Sequence, residues 1–134
     1  MSTHASATFE TKQWDESPYN EADGLPKMTR ASVTQSIAGD IEGEGAVEYL
    51  MTYGGEAASY VFVQRVIGSL GGRTGSFVIQ GSGDYSPEAS KASGTYAVVP
   101  RSGTGDLTGL RGTGGFEAPA GSRGGTMTLD YDLD

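Results

Sequence analysis

The sequence predicts an all-β fold, a single closed antiparallel barrel of about eight strands. Three observations predict it. Glycine supplies 22 of 134 residues and separates short runs rich in Val, Ile, Thr, Tyr and Phe. That is the punctuation of strands and tight turns. No long window carries a helical period. The last run alternates cleanly, with Met127, Leu129, Tyr131 and Leu133 on one face and Thr128, Asp130 and Asp132 on the other. A flat sandwich shares this alternation and stands as the alternative.

Strands are read near 6–14, 28–38, 45–53, 58–68, 74–83, 92–99, 104–117 and 125–133, all in one domain over residues 1–134. Residues 1–5 are expected to fray. In the first strand Glu10, Lys12 and Trp14 share a face by simple alternation. Trp14 is the only tryptophan, and it either caps the barrel opening or packs under the next loop. That loop, DESPYNEADGLPK at 15–27, holds two prolines, a glycine and four acids. It sits at the barrel mouth as a connection or a lid.

The third and fourth strands test the register. Paired about the turn between Gly54 and Ser59, Tyr53 faces Tyr60, Met51 faces Phe62, Tyr49 faces Gln64 and Val47 faces Val66. The opposite face then receives Leu50 with Val63, Thr52 with Val61, and Glu48 with Arg65. Opposite charges across a strand pair are favourable. Gly71-Gly72 is the signature of a tight hairpin. Beyond it Val66 faces Phe77 and Gln64 faces Ile79, and the sixth strand can add Tyr96 and Val98 to the same side. The aromatic face is taken as the lumen.

Residues 102–116, SGTGDLTGLRGTGGF, carry Gly103, Gly105, Gly109 and Gly112 around the apolar Leu107. This spacing resembles a glycine pattern on a late barrel strand of allene oxide cyclases and dirigent proteins, and GTYAVV (Gly94 to Val99) resembles the strand before it. Longer stretches are more specific: ATFETKQWDESPYNEADGLPKMTRASVTQSIAGDIEGEGAVEYLMTY, QRVIGSLGGRTGSFVIQGSG and TMTLDYDLD. Over nearly the whole chain these resemble a bacterial family known only as domain of unknown function 3224. The resemblance implies an eight-stranded, allene oxide cyclase-like barrel. It implies no reaction, because fold likeness alone does not carry chemistry.

Composition removes several function classes. A chain of 134 residues can bury a core without staples. It has no cysteine, hence no disulfide, thiolate metal site or thiol nucleophile. The net charge of −8 argues against nucleic acid. No apolar run approaches a membrane span. The start of the chain lacks a basic stretch followed by an apolar one, so a cytoplasmic location is the expectation. The single histidine, His4, can support neither a catalytic triad nor a histidine metal cluster. Asp130, Asp132 and Asp134 alternate on one side of a strand and are read as a solvated face. No metal and no cofactor is expected.

What remains is binding and acid–base chemistry from Tyr, Gln, Glu and Arg. Trp14, Tyr49, Met51, Tyr53, Phe62, Gln64, Phe77, Tyr96 and Tyr131 are the candidate ligand-binding residues. Tyrosine offers an apolar ring with a hydroxyl at its tip. Such a wall suits a small, largely apolar molecule carrying a carbonyl or hydroxyl. Gln64, placed among apolar neighbours, needs a hydrogen bond, from Tyr49 or from a ligand. Catalytic candidates are Tyr49, Gln64 and Tyr131, with Glu48 and Arg65 entering if the register is inverted and their pair points inward.

Two readings follow: a small-molecule barrel, binding or acting as a cofactor-free isomerase or cyclase, and a non-catalytic binding or assembly module with a filled lumen. Either way the outer stripe Leu50, Val61 and Val63 predicts a homo-oligomer, a dimer or trimer.

Overall fold

The computed structural model of the protein describes residues 2–133. Its strands are β1 (Thr3–Pro18), β2 (Met28–Gly39), β3 (Ile41–Gly54), β4 (Ala57–Leu70), β5 (Arg73–Ser86), β6 (Lys91–Val98), β7 (Thr104–Gly105), β8 (Arg111–Pro119) and β9 (Gly124–Asp132). Antiparallel neighbours run in the order β4-β3-β2-β1-β9-β8-β6-β5, and β4 pairs back onto β5. Eight strands therefore close a barrel, which leaves no open edge among them. The two-residue β7 adds to β5 at Gly75 and Ser76. Among the described residues no helix is long and apolar enough to cross a membrane.

Strand alternation sorts the side chains as the barrel reading requires. Tyr60, Phe62, Gln64, Val66, Phe77, Ile79, Tyr96, Val98, Met127 and Leu129 are buried. Leu50, Val61, Val63 and Ile67 stand 42–59% exposed on the outer wall. The β4–β5 register is the predicted one, with Val66 opposite Phe77 and Gln64 opposite Ile79. The Gly71-Gly72 turn between them has φ of +57° and +87°, the two left-handed residues of a type I′ hairpin.

The β3–β4 register departs from the prediction by two residues. Tyr49 lies opposite Phe62, Met51 opposite Tyr60 and Val47 opposite Gln64. The cause is a tighter turn: Gly54 already pairs with Ala57, and Gly55 takes a φ of +66° to make the two-residue reversal. A shift of two preserves which face each side chain occupies, so the aromatic residues still point inward. It does separate the predicted charge pair. Glu48 lies opposite Val63 and Arg65 opposite Ala46. Glu48 instead accepts from Arg30 Nε at 2.9 Å and from Ser32 Oγ at 3.0 Å, all on the exposed exterior.

Two other boundaries move. The predicted mouth loop 15–27 begins later, because β1 continues to Pro18 and pairs with Thr29. At the other end of that strand, Thr3 to Ala5 pair with β9 and Ala5 is buried. The predicted strand 104–117 is broken. Residues between β7 and β8 turn under the barrel, with Gly105 and Gly109 at φ of +60° and +89°. That turn drives Leu107 and Leu110 into the lumen, where both are fully buried. With Ile41, Leu70, Val66, Phe77 and Ile79, also buried, they seal one end of the barrel. Burying each such side chain is worth about 1.5–3 kcal/mol.

Candidate functional site

The other end of the lumen is built from rings. β3 contributes Tyr49, Met51 and Tyr53, and β4 contributes Tyr60 and Phe62. Phe116 reaches in from β8. Tyr49 meets Tyr60 edge-on at 5.4 Å between ring centroids, and Phe62 meets Phe116 at 5.7 Å in the same manner. Such geometries suit the ring quadrupoles. The facing wall is nearly bare. Gly83 lies opposite Tyr60, Gly81 opposite Phe62, and Gly94 next to Gly83. A Cβ on Gly94 would come within 2.7 Å of the Phe116 ring. Glycine on β5 and β6 thus makes room for the rings of β3, β4 and β8.

Trp14 joins this wall through an irregularity. The pairing of β1 with β2 slips between Thr11 and Gln13, leaving Lys12 as the extra residue of a β-bulge. A bulge switches the parity of alternation. Ala5, Ala7, Phe9 and Thr11 face inward before it; Trp14 and Glu16 face inward after it, opposite the buried Val33 and Ala31. Hence Glu10, Lys12 and Trp14 do not share a face. Lys12 points out to Glu44 at 3.6 Å, while Trp14 stacks on Tyr49 at 5.6 Å. The sequence carries the signal: inward apolar residues at odd positions through Phe9, then at an even one.

Above the bulge lies a polar cluster that the sequence reading missed. Glu16 accepts from Trp14 Nε1 at 2.9 Å, from Thr29 Oγ1 at 2.7 Å and, in a very short bond, from the Tyr53 hydroxyl. Partial burial raises the carboxyl pKa, but these bonds and the nearby Lys27 charge outweigh it and hold the group below its ordinary 4.5. Tyr53 is pushed the other way, by burial first and by Glu16 second. Lys27 Nζ sits 5.5 Å from the centroid of the Tyr53 ring.

These elements enclose a cavity of about 270 Å³ that opens at the rim. Its walls are Phe9, Trp14, Tyr49, Met51, Tyr53, Tyr60, Tyr85 and Phe116, with Ala58, Ala92 and Ala118 between them and Thr11, Gln35 and Glu56 as the polar contributors. Beneath it a much smaller void reaches Phe62, Gln64, Tyr96 and Met127. The floor is a pair of amides: Gln64 Nε2 donates to Gln35 Oε1 at 3.0 Å, and both residues are buried. Gln64 is therefore satisfied by Gln35, a residue the sequence reading did not single out, and not by Tyr49. Gly45 makes this possible, since a Cβ there would overlap the Gln64 amide nitrogen. A larger groove of about 520 Å³ crosses β5, β6, β8 and β9. It is wide open and lined by Ser82, Asp84, Ser93, Thr95, Thr126 and Thr128 among others, so nothing there excludes water.

The tyrosines of the lumen divide by what their hydroxyls do. Tyr60 donates to the Ser93 carbonyl at 2.9 Å. Tyr96 donates to the Thr128 carbonyl at 2.6 Å. Both serve the barrel wall, and burial raises both pKa values. The Tyr49 hydroxyl makes no hydrogen bond among the described residues, and burial pushes its pKa up to about 12. Among the described residues no fully shielded side-chain polar atom lacks a partner, so this hydroxyl is open to water or to a ligand.

The candidate residues thus separate. Trp14, Tyr49, Met51 and Tyr53 line the main cavity. Phe62, Gln64 and Tyr96 lie at or below its floor. Phe77 is buried opposite Val66 toward the sealed end, and Tyr131 has its hydroxyl against the Gly71 turn there. Neither lines the cavity. Glu48 and Arg65 are exterior. Among the described residues no cluster of His, Asp and Glu could hold a metal ion. His4 and Asp130 pair at 2.7 Å on the exposed surface; Asp134 lies outside the described residues.

A family model described as "Protein of unknown function (DUF3224)" matches residues 5–131, and the chain belongs to this family. No curated protein matches it. Among solved structures, a protein of unknown function from the same family in Shewanella oneidensis MR-1 is 27% identical with a TM-score of 0.78. That match covers 100% of this chain and 99% of the other.

Proposed function

We propose that this DUF3224 barrel binds a small, largely apolar molecule in the aromatic half of its lumen, with Tyr49 donating a hydrogen bond to a carbonyl or hydroxyl on it. The observation that carries this reading is the Tyr49 hydroxyl, largely buried among rings and without a protein partner among the described residues. A hydroxyl without a protein partner and still open to water can exchange that water for a ligand oxygen without breaking any bond within the protein. The barrel pairs Tyr60, Tyr96, Gln35 and Gln64, so an exception at the cavity wall is a natural docking point. At about 270 Å³ the cavity lies just under the ~300–1,000 Å³ of drug-sized sites, which suits a compact ligand. Holding one conformer of such a ligand would also serve an isomerase or cyclase without a cofactor.

The test uses Trp14 as a built-in probe, since it is the sole tryptophan and stacks on Tyr49. Compact cyclic ketones and alcohols should change its fluorescence saturably. Ala118→Phe, which fills the cavity, should abolish the response. Tyr49→Phe should weaken oxygen-bearing ligands by about 5–10-fold while leaving the matching hydrocarbons unchanged. No saturable response to any of them, with the protein folded, would overturn the reading.

A second reading, self-association, draws on a separate observation. Leu50, Val61, Val63 and Ile67 form an exposed apolar stripe across β3 and β4. Arg65 projects between Val63 and Ile67, and no carboxylate partners it among the described residues. Glu44 and Glu48 flank the stripe on β3. A second copy across a two-fold axis would bring apolar to apolar and Arg65 to glutamate. Sedimentation of wild type against Val63→Glu checks it; a wild type that stays monomeric at all concentrations sinks it.

A further inference from the structure

Resting on the ligand-binding reading above, we infer that the preferred ligand is an organic cation, an alkylated ammonium with an oxygen function within reach of Tyr49. The walls carry the first part of the case. Trp14, Tyr49, Tyr53, Tyr60, Tyr85 and Phe116 surround one small space. Aromatic rings attract cations through their quadrupoles, most strongly when the cation is desolvated, and such enclosures select quaternary ammonium groups.

Charge supplies the second part. The cavity lining contains the carboxylate Glu56 and neither Lys nor Arg. Glu16 stands directly behind the rim, holding Trp14 and Tyr53 by hydrogen bonds. The whole chain carries a net charge of −8, so a cation is drawn in and an anion repelled. Lys27 stands beside the Tyr53 ring. Its ammonium already rests 5.5 Å from the centroid of the Tyr53 ring, a contact of the same physical kind offered by the protein's own chain.

The scarcity of acceptors decides which cation. A primary ammonium brings three N–H donors that each need an oxygen. The polar lining is only Thr11, Gln35, Glu56 and the tyrosine hydroxyls, and the Gln35 side-chain oxygen is already taken by Gln64. Alkylation removes the donors, so the rings can hold the charge without hydrogen bonds. Tyr49 then remains free to donate to a hydroxyl or carbonyl elsewhere on the ligand.

Choline and its uncharged carbon isostere 3,3-dimethylbutan-1-ol separate charge from shape. Each is titrated into the full chain, with Trp14 fluorescence and calorimetry as readouts. Choline should bind about fivefold or more tightly than the isostere. Glu56→Gln should reduce choline affinity about twofold and leave the isostere unchanged. Equal or tighter binding of the isostere would overturn the cation assignment while leaving the cavity as a binding site. Failure of both, with compact ketones still binding, would likewise overturn it. Failure of every probe would remove the binding reading and this inference together.

Discussion

The two halves of the lumen are filled by different means. Toward the turn at Gly71-Gly72 the interior is mostly aliphatic and closed, with Leu107 and Leu110 folded in from the segment before β8, Ile41 and Leu70 beside them, and the single ring of Phe77 buried among them. Toward the turn at Gly55 it is aromatic and incompletely filled, and a cavity of about 270 Å³ remains. Branched aliphatic side chains interdigitate to crystal-like density. Planar rings meeting edge-to-face do not fill the aromatic end here, and the space between them is left open. The Gln35–Gln64 amide pair marks the boundary. The difference teaches that one small barrel can place its stability at one end and a binding surface at the other.

The largest effect expected from breaking this division is at the sealed end. Phe77→Ala should cost about 3–5 kcal/mol of stability, measured by urea unfolding. Ligand response at Trp14 should persist wherever the variant remains folded. Loss of binding with little loss of stability would reverse the roles assigned to the two halves.

The boundary itself should show a smaller, non-additive effect. Gln64→Leu or Gln35→Leu leaves one buried amide without its partner and should cost about 1–3 kcal/mol. The double variant should recover part of that loss, because neither amide is then stranded. Strictly additive losses in the double-mutant cycle would mean that the two side chains do not act as a pair.

The smallest effect belongs to the rim. Glu16 has a folded-state pKa below its unfolded value of 4.5, so its contribution is present above that pH and lost as pH falls through the lower folded value. Glu16→Gln should therefore lower stability at neutral pH, where the carboxylate's contribution is lost, and flatten the acid limb below about pH 4.5, so that variant and wild type converge in acid. An unchanged acid limb would show that the hydrogen bonds from Tyr53, Thr29 and Trp14 do not favour the carboxylate.

Much of the barrel was legible from alternation, because a strand's side-chain period is fixed by backbone geometry and survives errors in pairing. That is why Tyr49, Met51 and Phe62 were assigned to the lumen even though their partners were displaced by two residues. Pairing itself was less legible. Charge matching favoured Glu48 with Arg65, whereas the tight turn at Gly55 set the register and Arg30 approached Glu48 from the other neighbour. Glu16 was hidden for a related reason: its segment, rich in Pro and acids, reads as a loop, and only the bulge at Lys12 turns it toward Tyr53. The glycines around Leu107 looked like one strand because spacing alone does not distinguish a glycine that lets strands approach from one that reverses the chain.

By itself the sequence determined the all-β class and that Tyr49, Phe62, Phe77 and Tyr96 share one face of their strands, since both depend on local periodicity and turn chemistry. Tertiary structure alone decided that the sheet closes, that Trp14 turns inward at the bulge, that Leu107 and Leu110 plug one end, that Gln35 satisfies Gln64, and that the Tyr49 hydroxyl is left without a protein partner among the described residues. Those outcomes depend on which distant strands meet and at what offset. They are set by packing around the whole circumference and have no signature in any single stretch of chain.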